Sequence, residues 1–400
     1  MLPTQDADIP RLYFGTESRF VRGSGGVILS PHRGDRYEAY VPWLRAFSEV
    51  VIVARVAETD DAHDGFEVEG PRVKVEPLPS FHGAREAAAF MMRSNRLVAK
   101  AAADRTAWFG GKLPGAVGTL LHRRARRLGR PFFANVVGDP RDVLRSGVAG
   151  TSGRLVSGVA AQVLRHQMRR VDAAVYVSQR SLQQRYPVRP GIPSLARSNV
   201  ELPPTAFAVR RDYSLHDPAR LVAIGSHEQL YKGHDLLIQA TRDLRTLGHA
   251  VELHLIGNGR QHKSLQDLAS NLLPEGGVTF HGHLGDVDRI RQLLDECDLY
   301  VQPSRTEGLP RALVEAMARS MPCIGSTAGA IPELLDRAAL FDVDNLEDLT
   351  ARLSTHLNSA DARTTQGKRN HGEARTIAEL SAPSRYGDFL AALTRGGSSS

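Results

Sequence analysis

Ser304-Arg305-Thr306-Glu307-Gly308-Leu309-Pro310-Arg311-Ala312-Leu313-Val314-Glu315-Ala316-Met317 follows the apolar run Leu299-Tyr300-Val301. That run is short and rich in β-formers, which reads as a buried strand, and Ala312 onwards reads as a helix. The segment is therefore a strand, a loop and a helix. Glu307 and Glu315 are eight residues apart, a little over two turns at about 3.6 residues per turn, so a loop carboxylate and a helix carboxylate can reach one crevice. Pro310 suits the first helical turn, where its missing N–H would be unpaired anyway. The amides around Gly308 and Leu309 then face a ligand, and a helix start of this kind favours oxygen-rich or anionic groups.

Working outward, strand-like runs recur between helical stretches. Leu12-Tyr-Phe-Gly, Val50-Val-Ile-Val-Ala, Arg72-Val-Lys-Val, Phe132-Phe-Ala-Asn-Val-Val and Ala173-Ala-Val-Tyr-Val form one series. Leu221-Val-Ala-Ile-Gly, Val251-Glu-Leu-His-Leu-Ile-Gly, Val278-Thr-Phe-His-Gly, Leu299-Tyr-Val, Pro322-Cys-Ile-Gly and Ala339-Leu-Phe form a second. Alternation of this kind predicts two doubly wound parallel sheets covered by helices. The stretch from Glu201 to Pro218 mixes proline and polar residues without periodicity, as an interdomain connection does. The expected domains are 1–205 and 206–379, with a helix at about 380–395 free to pack back on the first.

The 400 residues are 42% hydrophobic and 24% charged, enough for two medium domains. Cys297 and Cys323 are the only cysteines, too few for a disulfide framework, which fits a cytoplasmic protein. The first ten residues carry no basic segment leading into an apolar core, and no run of about 18 apolar residues occurs, so neither a signal peptide nor a membrane span is expected. The formal charge is +7 and the pI about 9.6. Arg93, Arg96, Lys100, Arg105, Lys112, Arg123, Arg124, Arg126, Arg127 and Arg130 crowd one stretch against Asp104 alone. Such a run is a solvated helix face or a surface for weak association with an anionic membrane. Nucleic acid is not expected as a partner, because no recognition module or interleaved aromatics accompany the arginines.

The text from Asp298 to Ala318, continued by Pro322-Cys-Ile-Gly-Ser-Thr-Ala-Gly-Ala-Ile-Pro-Glu333, closely resembles the donor-site signature of the retaining GT-B glycosyltransferases of family 4. The likeness spans roughly residues 130 to 390 and is strongest after Leu221. It implies a GT-B fold, two Rossmann-like domains facing across a cleft, and transfer of a hexose-type sugar from a nucleotide-diphosphate donor, a UDP-sugar favoured, to an acceptor hydroxyl. The anomeric configuration would be retained, with neither metal nor other cofactor. Glu307, Gly308, Leu309 and Pro310 would hold the donor sugar, Glu315 the ribose and Lys232 the diphosphate. Gly257 and the His281, Gly282, His283 loop would flank the nucleotide, and Asn199 matches a common asparagine near the domain crossing. Glu307, Lys232 and Asp139 are the catalytic candidates.

The chain departs from the family where an arginine usually stands five or six residues before the lysine: Ser226 and His227 occupy that stretch. Arg260, Arg305 and Arg311 are the candidate substitutes. Asp139 orients a sugar or acceptor hydroxyl, or starts an Asp-Pro turn; both readings stand. The loop with Gly25 and Gly26 approaches the diphosphate or is an ordinary hairpin. Ile256-Gly257-Asn-Gly259-Arg260 lacks the third glycine of a dinucleotide fingerprint, which argues against a nucleotide-dependent oxidoreductase. A catalytically silent sugar-nucleotide binder is the other alternative, and the acceptor is either a lipid-linked glycan or a soluble small molecule.

Overall fold

The structure is a computed structural model and describes residues 9–23, 25–59, 65–79, 104–143, 153–198, 200 and 202–396. The chain forms two compact units. Unit 1 is Met1–Val137, Gln162–Asn199 and Ser381–Ser400, and unit 2 is Gly138–Ala161 and Val200–Leu380. The main crossing thus falls about six residues earlier than the expected 205/206. Val200 is the reason, because it is buried in the apolar core of unit 2.

Unit 1 contains β1 (Leu12–Arg22), β2 (Ile28–Ser30), β3 (Val50–Glu58), β4 (Phe66–Glu67), β5 (Val73–Pro79), β6 (Trp108–Leu113), β7 (Phe132–Val136), β8 (Ala173–Tyr176) and β9 (Ser194–Ala196). The parallel order is β5-β3-β1-β6-β7-β8-β9. β2 and β4 add a short antiparallel extension at the far end of β1. Phe14 sits edge-on to Trp43 at 4.8 Å between ring centroids, and Trp43 in turn meets Tyr386 at 5.3 Å. Tyr386 belongs to the C-terminal helix Pro383–Gly396. This helix buries Tyr386 and Leu390 in the unit 1 core, the leucine worth about 1.5–3 kcal/mol of apolar burial. The expectation that the C-terminal segment docks on the first unit describes what is seen.

Unit 2 contains β10 (Ala219–Ile224), β11 (Val251–Ile256), β12 (Val278–Gly282), β13 (Leu299–Gln302), β14 (Cys323–Ser326) and β15 (Leu340–Phe341). All pairings are parallel, in the order β12-β11-β10-β13-β14-β15. The strands are near-continuous apolar runs because both faces are covered. Leu236, Leu237 and Leu244 of the helix His234–Thr246 pack on one face. Leu313, Val314 and Met317 of the helix Arg311–Ala318 pack on the other. The strand order reverses between β10 and β13. In an open sheet of this order, ligands sit beyond the carboxyl ends of the strands at that reversal.

Candidate functional site

The loops that follow β10 and β13 hold the two residues predicted to matter most. Lys232 Nζ and Glu307 Oε1 lie 2.6 Å apart, with side chains 19% and 8% exposed. A charge-assisted hydrogen bond of this length is short, and its low exposure limits screening by water and salt. Glu307 Oε1 also accepts from Gln302 Nε2 at 3.0 Å and Ser304 Oγ at 2.9 Å. The loop is fixed from behind by the turn after β14, where Ala330 N donates to Gly308 O at 3.1 Å. Gly329 makes that approach possible. Its φ is +55°, and a Cβ there would stand 1.9 Å from Glu307 O.

The helix begins at Arg311, and Pro310 is its N-cap, with extended backbone at φ −73° and ψ 104°. Its expected place in the first turn is therefore shifted by one residue. The Gly308 carbonyl is held by Ala330, which keeps the chain extended until Arg311. Pro310 has no N–H, so only the Gly308 and Leu309 amides precede the first turn as donors. Glu315 lies half-buried on this helix. Burial raises its carboxyl above the usual range, against the opposing charges of Arg311 and Arg291. Glu307 and Glu315 both bear on the wholly buried Tyr300 hydroxyl, whose pKa is pushed well up, first by burial. Both carboxylates therefore lie within electrostatic reach of the same buried residue of β13.

Lys232 ends a short turn, Leu230–Lys232, ahead of the helix His234–Thr246. Arg305 anchors that turn. It donates to Asp235 Oδ1 and Oδ2 at 2.8 and 2.9 Å, to Asp344 Oδ1 at 2.6 Å and to the Leu230 carbonyl. With its donors engaged in this way, Arg305 is a structural clamp and does not replace the missing diphosphate arginine. Arg260 pairs with Glu228 at 2.8 Å on the exposed surface. Arg311 is exposed and has no ion pair among the described residues.

His227, standing where the arginine would be, turns inward and is 1% exposed. Its ring stacks on His262 at 5.1 Å, with the Nδ1 atoms 2.9 Å apart, and meets His234 edge-on at 4.8 Å. Burial, seconded by His262, lowers the His227 pKa to about 4. His234 falls to about 3, again mainly by burial. Neutral imidazoles therefore knit this loop to its neighbours instead of offering charge. His227 N donates to Asn258 O at 2.9 Å, and Gly257 N to Gly282 O at 2.8 Å. The loops after β10, β11 and β12 are thereby tied together, with Gly257 at φ +150°, where a Cβ would meet Gly225 O at 1.8 Å. His281 is half-buried and stacks on His254 at 5.3 Å, Nε2 to Nδ1 3.0 Å. Burial and His254 lower its pKa. His283 is exposed.

The remaining candidates have simpler settings. Asp139 is buried and accepts from Arg141 N at 2.8 Å, capping the short helix Pro140–Val143; the turn-initiating reading describes this geometry. Gly25 and Gly26 form the hairpin turn between β1 and β2, closed by Gly26 N to Gly23 O at 2.8 Å. Asn199, Arg93, Arg96 and Lys100 lie outside the described residues. Arg123, Arg126 and Arg127 line the exposed side of the helix Ala116–Leu128. No helix among the described residues is long and apolar enough to cross a membrane, and no group of His, Cys, Asp or Glu there is arranged to hold a metal.

Three residues were not singled out from sequence: Tyr300, Gln302 and Ser304. Their signal is a polar residue at every second position of a buried strand and its exit, which places Tyr300 and Gln302 on one face. They lie behind Lys232 and Glu307, the pair that can meet a hydroxylated, anionic ligand.

Comparison with known proteins agrees with this architecture. Residues 208–371 match the model of the family described as glycosyl transferases group 1. The chain is 23% identical over 333 residues to protein CapJ of Staphylococcus aureus, covering 82% of this chain and 83% of CapJ. It is 28% identical over 231 residues to a GDP-mannose-dependent monoacylated alpha-(1-6)-phosphatidylinositol monomannoside mannosyltransferase of Corynebacterium glutamicum, covering 52% of this chain and 60% of that enzyme. The fold is similar to that of Anabaena HepE in complex with UDP-glucose, with a TM-score of 0.62 at 16% identity over 98% of this chain and 100% of HepE. The two parallel-sheet units have the GT-B fold, and the group 1 glycosyl transferase match falls on the second of them.

Proposed function

We propose that this glycosyltransferase is a retaining, metal-independent hexosyltransferase of family 4, acting on a nucleotide-diphosphate sugar and an acceptor hydroxyl. The observation that carries the reading is the Lys232–Glu307 contact at the β10/β13 reversal. Lys232 is then the cation for the donor diphosphate. Glu307 with the Gly308 and Leu309 amides takes the sugar hydroxyls, and Glu315 takes the ribose hydroxyls, since a carboxylate can accept from two adjacent hydroxyls. The acceptor oxygen attacks the anomeric carbon on the face from which the diphosphate leaves, and the departing phosphate oxygen takes the acceptor proton. Catalysis rests on positioning and on neutralising the leaving group. A UDP-sugar is the favoured donor, in keeping with the UDP-glucose bound by HepE, while the mannosyltransferase relative is named as GDP-mannose-dependent.

The test is a thermal-shift screen of UDP-, GDP-, ADP- and dTDP-sugars, in which a ligand at 100 times its Kd stabilises the fold by about 2.7 kcal/mol. Transfer or donor hydrolysis is then measured with and without EDTA. Activity unchanged by EDTA and lost in Glu307→Ala and Lys232→Ala supports the reading; no shift with any donor removes it. The buried, inward-turned His227 favours one alternative, a catalytically silent sugar-nucleotide binder, which would shift in the screen yet turn over nothing. Association with an anionic membrane through the exposed Arg123, Arg126 and Arg127 is also part of the proposal, and a cytoplasmic location with it. Absence of flotation with anionic liposomes at low salt removes the membrane element.

A further inference from the structure

The hydrogen bonds at Glu307 are lopsided. Lys232 Nζ, Gln302 Nε2 and Ser304 Oγ all converge on Oε1, at 2.6, 3.0 and 2.9 Å. Oε2 has no hydrogen-bond partner among the described residues, and it is not one of the fully buried unpartnered atoms, so it opens to solvent. A carboxylate held by three donors on one oxygen cannot rotate without breaking them, which fixes where the other oxygen points.

The clamp has its own support. The Tyr300 hydroxyl donates to Gln302 Oε1 at 2.6 Å, leaving Gln302 Nε2 to face Ser304 Oγ at 2.8 Å and Glu307. Tyr300, Gln302 and Ser304 are 0%, 2% and 0% exposed, so no water competes for these bonds. Ser326 Oγ holds the Ser304 carbonyl, securing the start of the loop. Burial keeps the Tyr300 phenol protonated and able to donate. An amide is the side chain this relay needs, since it accepts from the phenol at one end and donates to the carboxylate at the other.

We propose that Tyr300, Gln302 and Ser304 are positioning residues that saturate Glu307 Oε1 and present Oε2 as the single acceptor for a donor-sugar hydroxyl. This rests on the proposed sugar-nucleotide function. The relay acts on the sugar end alone, so its loss separates affinity for a sugar nucleotide from affinity for the bare nucleoside diphosphate.

Calorimetry on the full chain with UDP-glucose, GDP-mannose and ADP-glucose, each against UDP, GDP and ADP, tests it. Tyr300→Phe and Gln302→Leu should each weaken the binding sugar nucleotide about tenfold and leave the matching diphosphate within about twofold. The double variant should be no weaker than Gln302→Leu, because both changes break one relay. Should Tyr300→Phe melt early without ligand, Gln302→Glu replaces it: this side chain still accepts from Tyr300 but gives Glu307 no donor, and the same selective loss is expected. Equal weakening of both ligands overturns the proposal in favour of plain packing. So does full sugar-nucleotide affinity in Gln302→Leu when Glu307→Ala has lost it. If the unaltered protein binds none of the six compounds, the proposed function itself falls, and this inference with it.

Discussion

In unit 1 the carboxylates beyond the carboxyl end of the central parallel ladder are satisfied from within. Glu17 caps the helix Ala116–Leu128 through Val117 N at 2.7 Å and pairs with Arg55 at 3.0 Å. Asp35, 4% exposed, takes Lys112 at 3.1 Å, Ser18 at 2.7 Å and Tyr40 at 3.3 Å. In unit 2 the corresponding place is unfinished. Glu307 keeps one oxygen unpartnered, and Glu315 has no ion pair at contact distance among the described residues. The strand order around the reversal is the same in both sheets, so the order does not make the site. What differs is whether each buried charge finds its partner in the protein or is left to find it in a ligand.

The harshest test of that contrast is removal of either member of the unit 2 pair. Lys232→Ala and Glu307→Ala should each lower transfer by about 100- to 1000-fold, the range for losing one group that stabilises developing charge. Asp35→Ala should leave transfer unchanged and act on the fold alone. It strands Lys112 beside a deleted partner and should cost about 3 kcal/mol while leaving donor affinity intact. Trp43 and Trp108 are the only tryptophans and both lie in unit 1, so denaturation followed by their fluorescence isolates this effect. A loss of donor affinity in Asp35→Ala would mean that its carboxylate serves a ligand after all.

The unit 2 sheet was legible in sequence because six apolar runs end at glycine or polar loops, whereas its reversal shows only in the pairing of β10 with both β11 and β13. Unit 1 was less so. Its β6, Trp108-Phe-Gly-Gly-Lys-Leu, does not look like a strand. Gly111 is required there because a Cβ would come within 2.7 Å of Gly118 Cα in the following helix. Close backbone packing thus erased the β-branched signature that other strands carry. At the site, Glu307 and Glu315 were singled out by their spacing, and Lys232 by the family resemblance. The elimination of Arg305 was not, since its partner Asp235 lies 70 residues away. Nor was the inward turn of His227, which depends on His262 at the start of the helix His262–Leu272 and on Phe280 of β12.

Acid should separate the units again, by a smaller amount. His227 and His234 in unit 2 have pKa values lowered to about 4 and about 3, against His122 alone, at about 4, among the described histidines of unit 1 with a lowered pKa. A buried neutral histidine binds fewer protons folded than unfolded. Its stabilisation is therefore full above pH 6.5 and is lost as pH falls through the window down to the folded value. For His227 alone the loss between pH 7 and 5 is about 2 kcal/mol. Urea midpoints by circular dichroism should fall over this interval more than midpoints by tryptophan fluorescence, and His227→Phe should reduce the gap. Equal falls by both probes would show that the histidine knot does not distinguish the units.

Glu315→Gln should produce the smallest change and the most direct reading of an unfinished site. Burial raises the Glu315 pKa, so the folded state holds its proton more tightly than the unfolded chain, and ionisation costs stability as pH rises above the ordinary carboxylate value. The amide removes that cost, and the melting temperature at neutral pH should rise. A charged acceptor for the ribose hydroxyls is lost at the same time, so nucleoside diphosphate affinity should fall about tenfold. The two effects must have opposite signs if the carboxylate is kept for a ligand and not for the fold. A variant that melts lower and binds as before would make Glu315 a structural residue like Asp35, and would place it on the unit 1 side of the comparison.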